Sequence, residues 1–273
     1  MQLTLRGLKR MKSKKKPDLW STPWKVEQKP LRVEIGDLSL TINHQNHEWQ
    51  LVYFWTKKEN QGEFSCHYID EFPETPTSLS GIHNGLARIA METMTDELTF
   101  NPQLADRPVV VRPYSPLLIP ANNKITLYIS APLWLCINFS KKVKRELPVQ
   151  QLSDTWMGLI TGKGELCYGS YTHARLDQDM LLRLPYRALT PVTMRNKSNA
   201  DFTLERLSIP APYLSLYAGD GQLVTEPLSI VMDSEKHQGV VEIGKVSGKK
   251  AITPPRKKAD KGILVNTWEN LFA

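Results

Sequence analysis

The chain of 273 residues is 41% hydrophobic and 23% charged, a globular composition sufficient for one large domain or two ordinary ones. Its net charge of +7 is uneven: residues 1–30 carry +7, residues 244–261 carry +6 and residues 31–243 carry −5, which argues against a basic nucleic-acid surface on the body. No window nears the ~18 apolar residues of a membrane span, the first residues lack a secretory apolar run, and Cys66, Cys136 and Cys167 show no CxxC spacing, so a cytosolic chain with reduced thiols is expected.

Residues 1–30 read as a basic flexible segment. Leu5, Leu8 and Met11 are interleaved with Arg6, Lys9, Arg10 and Lys12, and Lys14, Lys15 and Lys16 follow. Such a mixture suits an anionic membrane surface, where each cation near the lipid contributes ~1 kcal/mol. It also suits non-specific phosphate contacts or simple solvation.

From residue 31 alternation replaces charge. "LRVEIGDLSLTINHQNHEWQLVYFW" predicts strands joined by turns around Gly36-Asp37 and Asn43 to Asn46. "GLARIAMETM" (85–94) is assigned as strand, although Leu86, Ile89 and Met94 also fit one helical face. "RPVVVRP", "PLLIP", "KITLYIS" and "LWLCINFS" follow, punctuated by prolines that sheet edges and strand ends tolerate. Together they predict a first β-sandwich at 31–148, with the charged "KKVKRELP" (141–148) as a joint. The same texture beyond residue 160 predicts a second antiparallel sandwich at 149–243. An Ile-to-Pro corner at Ile129–Pro132 is echoed at Ile209–Pro212, a faint sign of duplication.

The richest polar stretch is "SDTWMGLITGKGELCYGSYTHARLD" (153–177). Cys167 and His173 would make a nucleophile and base only if they met. On one extended strand they lie ~20 Å apart. On a hairpin turning at Gly169-Ser170, the preferred reading, they face opposite sides of the sheet. That hairpin gathers Leu166, Tyr168, Tyr171 and His173 on one face and Glu165, Cys167, Thr172 and Ala174 on the other. Cys167 then packs as a small apolar residue. Asp154, Trp156, Glu165, Tyr168 and His173 remain a possible ligand surface, with the acids and Trp156 as a sugar platform in the alternative reading. "GKGE" is a turn without phosphate-loop context. His44 and His47 sit in a polar turn with no evident third ligand, so neither metal nor cofactor is expected.

Residues 244–261 read as a basic linker, with Lys249, Lys250, Arg256, Lys257 and Lys258 joining the N-terminal cations as an electrostatic tether. In "GILVNTWENLFA" (262–273), Leu264, Trp268, Leu271 and Phe272 fall at helical spacing. They predict a short amphipathic helix that must fold against a partner or its own body.

The motifs "LSDTWMG", "GELCYGSYTHARLD", "LTPVTMRNKS", "LERLSIPAPYLSLYA" and "DGQLVTEPLSI", with "PLLIP…ITLYISAPLWLCI", carry a resemblance. Over about residues 31–232 the chain resembles the uncharacterised prokaryotic domain-of-unknown-function family numbered four hundred and thirty-two. The resemblance brings no catalytic residues. It implies an association with small-conductance mechanosensitive channels, and hence a membrane-protein partner.

The chain is therefore expected to be an all-β, non-catalytic protein-binding or regulatory protein, cytoplasmic and peripheral to the inner membrane, with basic tails as tethers. A carbohydrate-binding or carbohydrate-active sandwich is the alternative, and nucleic-acid binding through the tails a further one.

Overall fold

The computed structural model describes residues 19–20, 22–57, 64–73, 84–92, 95–159, 164–172, 174–233, 238–260, 263–267 and 271–272. Among them every element longer than a single helical turn is a strand, and no helix is long and apolar enough to cross a membrane.

The strands form five sheets. Four strands, β1 (Pro23–Lys25), β7 (Glu97–Gln103), β11 (Trp134–Asn138) and β12 (Lys144–Pro148), pair in the order β1-β7-β11-β12. A five-stranded antiparallel sheet runs β5-β2-β3-β4-β6, from β2 (Leu31–Ile35), β3 (Leu38–Gln45), β4 (Glu48–Trp55), β5 (Ser65–Tyr68) and β6 (Asn84–Ala90). The third sheet, β13-β14-β8-β17, comprises β8 (Val109–Pro113), β13 (Ser153–Gly158), β14 (Gly164–Thr172) and β17 (Leu207–Ile209). A small pair joins β9 (Leu117–Ile119) to β16 (Phe202–Leu204). The largest sheet contains β10 (Lys124–Pro132), β15 (Arg187–Asn196), β18 (Tyr217–Ala218), β19 (Leu223–Val224), β20 (Leu228–Asp233), β21 (Gln238–Ile243) and β22 (Ile263–Thr267).

Alternation explains the strands locally. In β2, Leu31, Val33 and Ile35 are buried while Arg32 and Glu34 reach outward. The β3–β4 hairpin closes on Asn46 and His47, both at positive φ (52° and 65°), the backbone that two-residue hairpin turns need. This turn lies at the end of the polar stretch expected there, and the strand assignment of 85–94 holds for Asn84–Ala90.

One core cluster takes in Val33, Phe100, Val109, Leu127, Ile137, Val192, Ile230 and Val241, from both halves of the chain. β10 of the first half pairs with β15 of the second at nine positions, Lys124↔Arg195 to Pro132↔Arg187. β8 likewise pairs with β14 and β17. Hydrogen bonds thus cross the boundary expected at 148/149, and most of the expected joint is strand β12. The two Ile-to-Pro corners also differ. Ile129–Pro132 ends a straight strand, whereas Ile209 closes β17 and Ala211–Tyr213 is a single 3-10 turn.

The joint is where chains converge. Val149 O accepts the N–H of Asp37 (2.9 Å) and Leu38 (3.2 Å), Val149 N–H donates to Leu133 O, and Leu133 N–H donates to Tyr186 O. Gly36 takes φ +58°, and a Cβ there would lie 2.7 Å from Val149 O, so this crossing needs glycine. Beside it, Arg187 donates to Ser130 Oγ, Ser130 O and Gln150 Oε1, and Gln150 Nε2 donates to Asp37 Oδ2 at 3.4 Å.

Both ends of the chain depart from expectation. Within the N-terminal segment expected to be flexible, Leu19, Trp24 and Val26 are buried and β1 pairs with β7. Arg6 to Lys16 lie outside the described residues. At the C-terminus Ile263–Thr267 is a strand on the edge of β21, with Leu264 in register with Val241, rather than the first turns of a helix. β-branched "ILVNT" suits an edge that offers a ladder, and a two-turn helix gains little alone. Trp268 lies outside the described residues. Leu271 and Phe272 are buried in the protein's own core, Phe272 edge-on to Phe202 at 5.2 Å, so they do not present a surface to a partner.

Leu271→Ala is expected to cost ~2–5 kcal/mol. A lowered urea midpoint with unchanged slope would register it. A midpoint equal to wild type would mean that the C-terminal pair does not seal the core.

Candidate functional site

β14 is continuous from Gly164 to Thr172, so the hairpin expected at Gly169-Ser170 does not form. Two ladders hold the strand straight. β13 pairs with Gly164 to Gly169 antiparallel, and β8 pairs with Tyr168 to Thr172 in parallel. The hairpin instead joins β13 to β14, closing on the Gly158–Gly164 pair, with Gly158 at φ +113°.

Moving the turn redistributes the predicted site. Cross-strand partners share a face, and the register pairs Asp154 with Tyr168 and Trp156 with Leu166. These four occupy one face of the sheet. Glu165 and Cys167 belong to the other, and His173 lies outside the described residues. Tyr171, expected beside Tyr168, faces away from it and stacks on Tyr114 at 5.7 Å.

On the first face the polar groups are bound to one another. Arg107 Nη1 donates to Asp154 Oδ1 at 3.0 Å, and the guanidinium sits 4.4 Å from the centre of the Tyr168 ring. The Tyr168 hydroxyl donates to Asp106 Oδ1 at 3.0 Å, and its ring lies 5.2 Å from that of buried Trp134. Partial burial, reinforced by Asp106, pushes the phenol above its ordinary range, so it stays a donor. Asp106 and Arg107 escaped the sequence reading because only the parallel β8–β14 pairing brings them here, whereas Trp134 packs in the core as its place within a strand suggested. Nothing local to residues 153–177 signals that pairing.

The apolar part of this face is open. Trp156 is 46% exposed, Leu166 46% and Leu159 55%. The indole lies over Gly164, whose added Cβ would meet the ring at 2.5 Å, and its Nε1 donates to Leu159 O at 3.3 Å. The glycine therefore seats the indole and fixes its orientation. β13 pairs with β14 alone among the described strands, so Trp156 stands on a sheet edge.

The opposite face carries the cysteine. Cys167 is buried against Val110 and Met157, and burial, with the nearby Glu165 charge, pushes its thiol up to about 12. The Glu165 carboxyl is also raised by desolvation, with Lys257 pulling it back. Of the two histidines near the β3–β4 turn, His44 stacks on Trp49 at 4.6 Å.

The basic segment expected to be a linker is partly a strap across the body. Thr253 Oγ1 donates to Pro102 O at 2.6 Å, Arg256 Nε to Leu104 O at 2.9 Å, and Lys257 N–H to Pro212 O at 2.8 Å. Arg256 also bonds Glu146 Oε2 and is not a free tether cation. Lys249 donates to Ala218 O, whereas Lys250, Lys257 and Lys258 are exposed.

The family model described as "Protein of unknown function (DUF432)" matches residues 20–272. The chain belongs to this family. The match extends past the 31–232 expected from the motifs and takes in β1, the strap and β22. The basic segment 244–261 thus lies within the matched region. No curated protein and no solved structure matches the chain.

Two measurements check this account. Alkylation at pH 8 of the native chain should leave Cys167 unmodified by mass spectrometry, and unfolding should expose it. Rapid labelling of native Cys167 would refute its burial. For Glu146, desolvation raises the pKa, but Arg256 and Lys144 together outweigh it and hold the carboxyl below the usual range. A depressed folded pKa contributes stability above the unfolded glutamate value, which is lost as pH falls through the folded one. Arg256→Gln should therefore cost ~1–3 kcal/mol at pH 7 and less below about pH 4. A pH-independent cost would contradict the pairing.

Proposed function

We propose that the protein is a non-catalytic binding protein that receives a protein partner on the β13–β14 surface. The observation that carries the reading is the exposed edge platform of Trp156, Leu159 and Leu166, bordered by the Arg107–Asp154 pair and Tyr168. A half-exposed Trp with aliphatic neighbours and a polar rim is the pattern of an interface anchor. The oriented indole loses little conformational freedom on docking, and an edge strand can also accept an extended segment.

The chemistry of the neighbouring groups supports binding over catalysis. Asp154 and Asp106 are committed to Arg107 and Tyr168, and Glu165 belongs to the opposite face, so the acids expected for glycoside chemistry do not confront each other across Trp156. The buried, strongly basic Cys167 thiol does not suit nucleophilic attack.

A photo-reactive amino acid placed at position 156 of the full chain, in its native cells, is expected to give a discrete protein adduct. The same probe at exposed Lys141 should not, and Leu166→Glu should abolish the adduct. Adduct yield at 156 no higher than at 141 would sink the reading. Recovery of the adduct in the membrane fraction would identify the partner as a membrane protein.

A further inference from the structure

Of the exposed large apolar side chains among the described residues, three of the most exposed fall within one loop. Between the Arg175–Tyr128 bridge and the start of β15, Leu176 is 61% exposed, Met180 64% and Leu182 76%. Two exposed tyrosines, Tyr114 and Tyr171, stack on each other where β14 leads towards this loop, and Tyr114 N–H donates to Thr172 O. Leu184, at the end of the loop, packs on the core and anchors it.

Some polar groups of the loop bond within the chain while staying exposed. Asp177 Oδ1 accepts the N–H of Asp179 and caps the 3-10 turn Gln178–Met180. Arg183 Nη2 lies 3.7 Å from Asp179 Oδ1, and Arg183 Nη1 donates to Asp220 O. Arg175 uses its backbone in the bridge to Tyr128. The two arginines and two aspartates balance, so the loop presents apolar tips among exposed polar side chains of no net charge.

We propose that the loop 174–184 inserts Leu176, Met180 and Leu182 into the interface of a phospholipid bilayer. Three features favour lipid over a protein partner. The tips lie on a loop and line neither of two surface depressions, one around Asn43, Gln50 and Phe72 and the other around Lys25 and Tyr68. Exposed side chains without a matching concavity suit a fluid apolar phase, which needs no shape complementarity. Exposed Tyr171, on the strand that leads to the loop, and Tyr114 stacked on it match the composition of a membrane–water interface, where a ring is apolar at one end and wet at the other. Finally, stable anchoring takes two signals, and the seven cations from Arg6 to Lys16 provide an electrostatic one for an anionic leaflet. This contact goes beyond the partner-binding reading and does not use the Trp156 surface.

The test uses the full chain with phosphatidylcholine vesicles, with and without phosphatidylglycerol. An environment-sensitive fluorophore on Leu182→Cys should brighten and shift to the blue when either vesicle is added, more with phosphatidylglycerol. The same label on Lys141→Cys should not respond. Met180→Asp with Leu182→Asp should lower vesicle co-sedimentation by roughly tenfold or more at unchanged melting temperature. If that double variant melts early, Leu182→Ser gives the same comparison with a smaller loss. Co-sedimentation that is salt-sensitive but silent at position 182 would assign binding to the basic residues alone and overturn the proposal. So would dissociation of an oligomer by Leu182→Asp in sedimentation velocity, which would show the loop to be covered by a second copy. Either result leaves the cross-linking experiment at position 156 to be decided on its own terms.

Discussion

Arg187 is half-buried with three neutral acceptors, Ser130 Oγ, Ser130 O and Gln150 Oε1, and the architecture turns on that arrangement. Desolvation pulls its pKa down from the ordinary arginine range, yet a guanidinium keeps its proton and must keep its acceptors. The nearest compensation passes through an amide: Gln150 accepts from Arg187 and donates to Asp37. A charge that cannot be shed fixes β10, β15, the segment after β12 and the β2–β3 turn relative to one another. Removing any acceptor leaves a half-buried donor unpaired, at ~1–3 kcal/mol. The backbone bonds of Val149 and the left-handed Gly36 close the same junction from the other side.

That junction determines where the exposed platform can stand. β15 begins at Arg187 and carries β10 along its length, and β10 leads through Leu133 into β11, which bears Trp134. Trp134 then supports Tyr168 on β14, and Tyr168 holds Asp106 and Arg107. The chain of contacts runs from a half-buried cation to a surface aromatic cluster through side chains of neighbouring elements. The strap 252–258 binds the same region from outside, fastening Pro102, Leu104, Glu146 and Pro212 with one stretch of chain. Two adjacent prolines, Pro254 and Pro255, stiffen it, which reduces the ordering cost of laying a basic segment on a surface.

Strands were legible in the sequence because period-two burial is a local property. Leu31, Val33 and Ile35 alternate with Arg32 and Glu34 whatever their partners are. What the residues could not reveal was pairing. Gly169-Ser170 has the composition of a hairpin turn, but β8 and β13 both offer ladders to an unbent strand, and two ladders outweigh one turn. The charged run at 141–148 looks like a joint because Lys144 and Arg145 are exposed on an edge strand. The apolar spacing of Leu264, Leu271 and Phe272 fits a helix by period alone, and the free edge of β21 captured the first of them as strand. Arg256 resembled a tether cation because Glu146, its partner, is far away in sequence.

The same distinction between local pattern and distant pairing separates the aromatics that pack from those that remain open. Trp49 and Trp134 point into layers closed by other sheets, and both are buried. Trp156 is carried by β13, which has a neighbour on only one side, and its indole has only Gly164 to lie on. A side chain at that cross-strand position would displace the ring, so the bare glycine both accommodates the indole and leaves its outer side uncovered. Tyr53 sits over Gly85 on the edge strand β6 in the same manner, but it also contacts Trp55 at 5.4 Å and accepts a hydrogen bond from Arg145. Of the two glycine-seated rings, that of Tyr53 is engaged by neighbours above the sheet. Trp156 uses its one polar atom to fasten itself to Leu159 O and leaves an apolar plane for another molecule to cover.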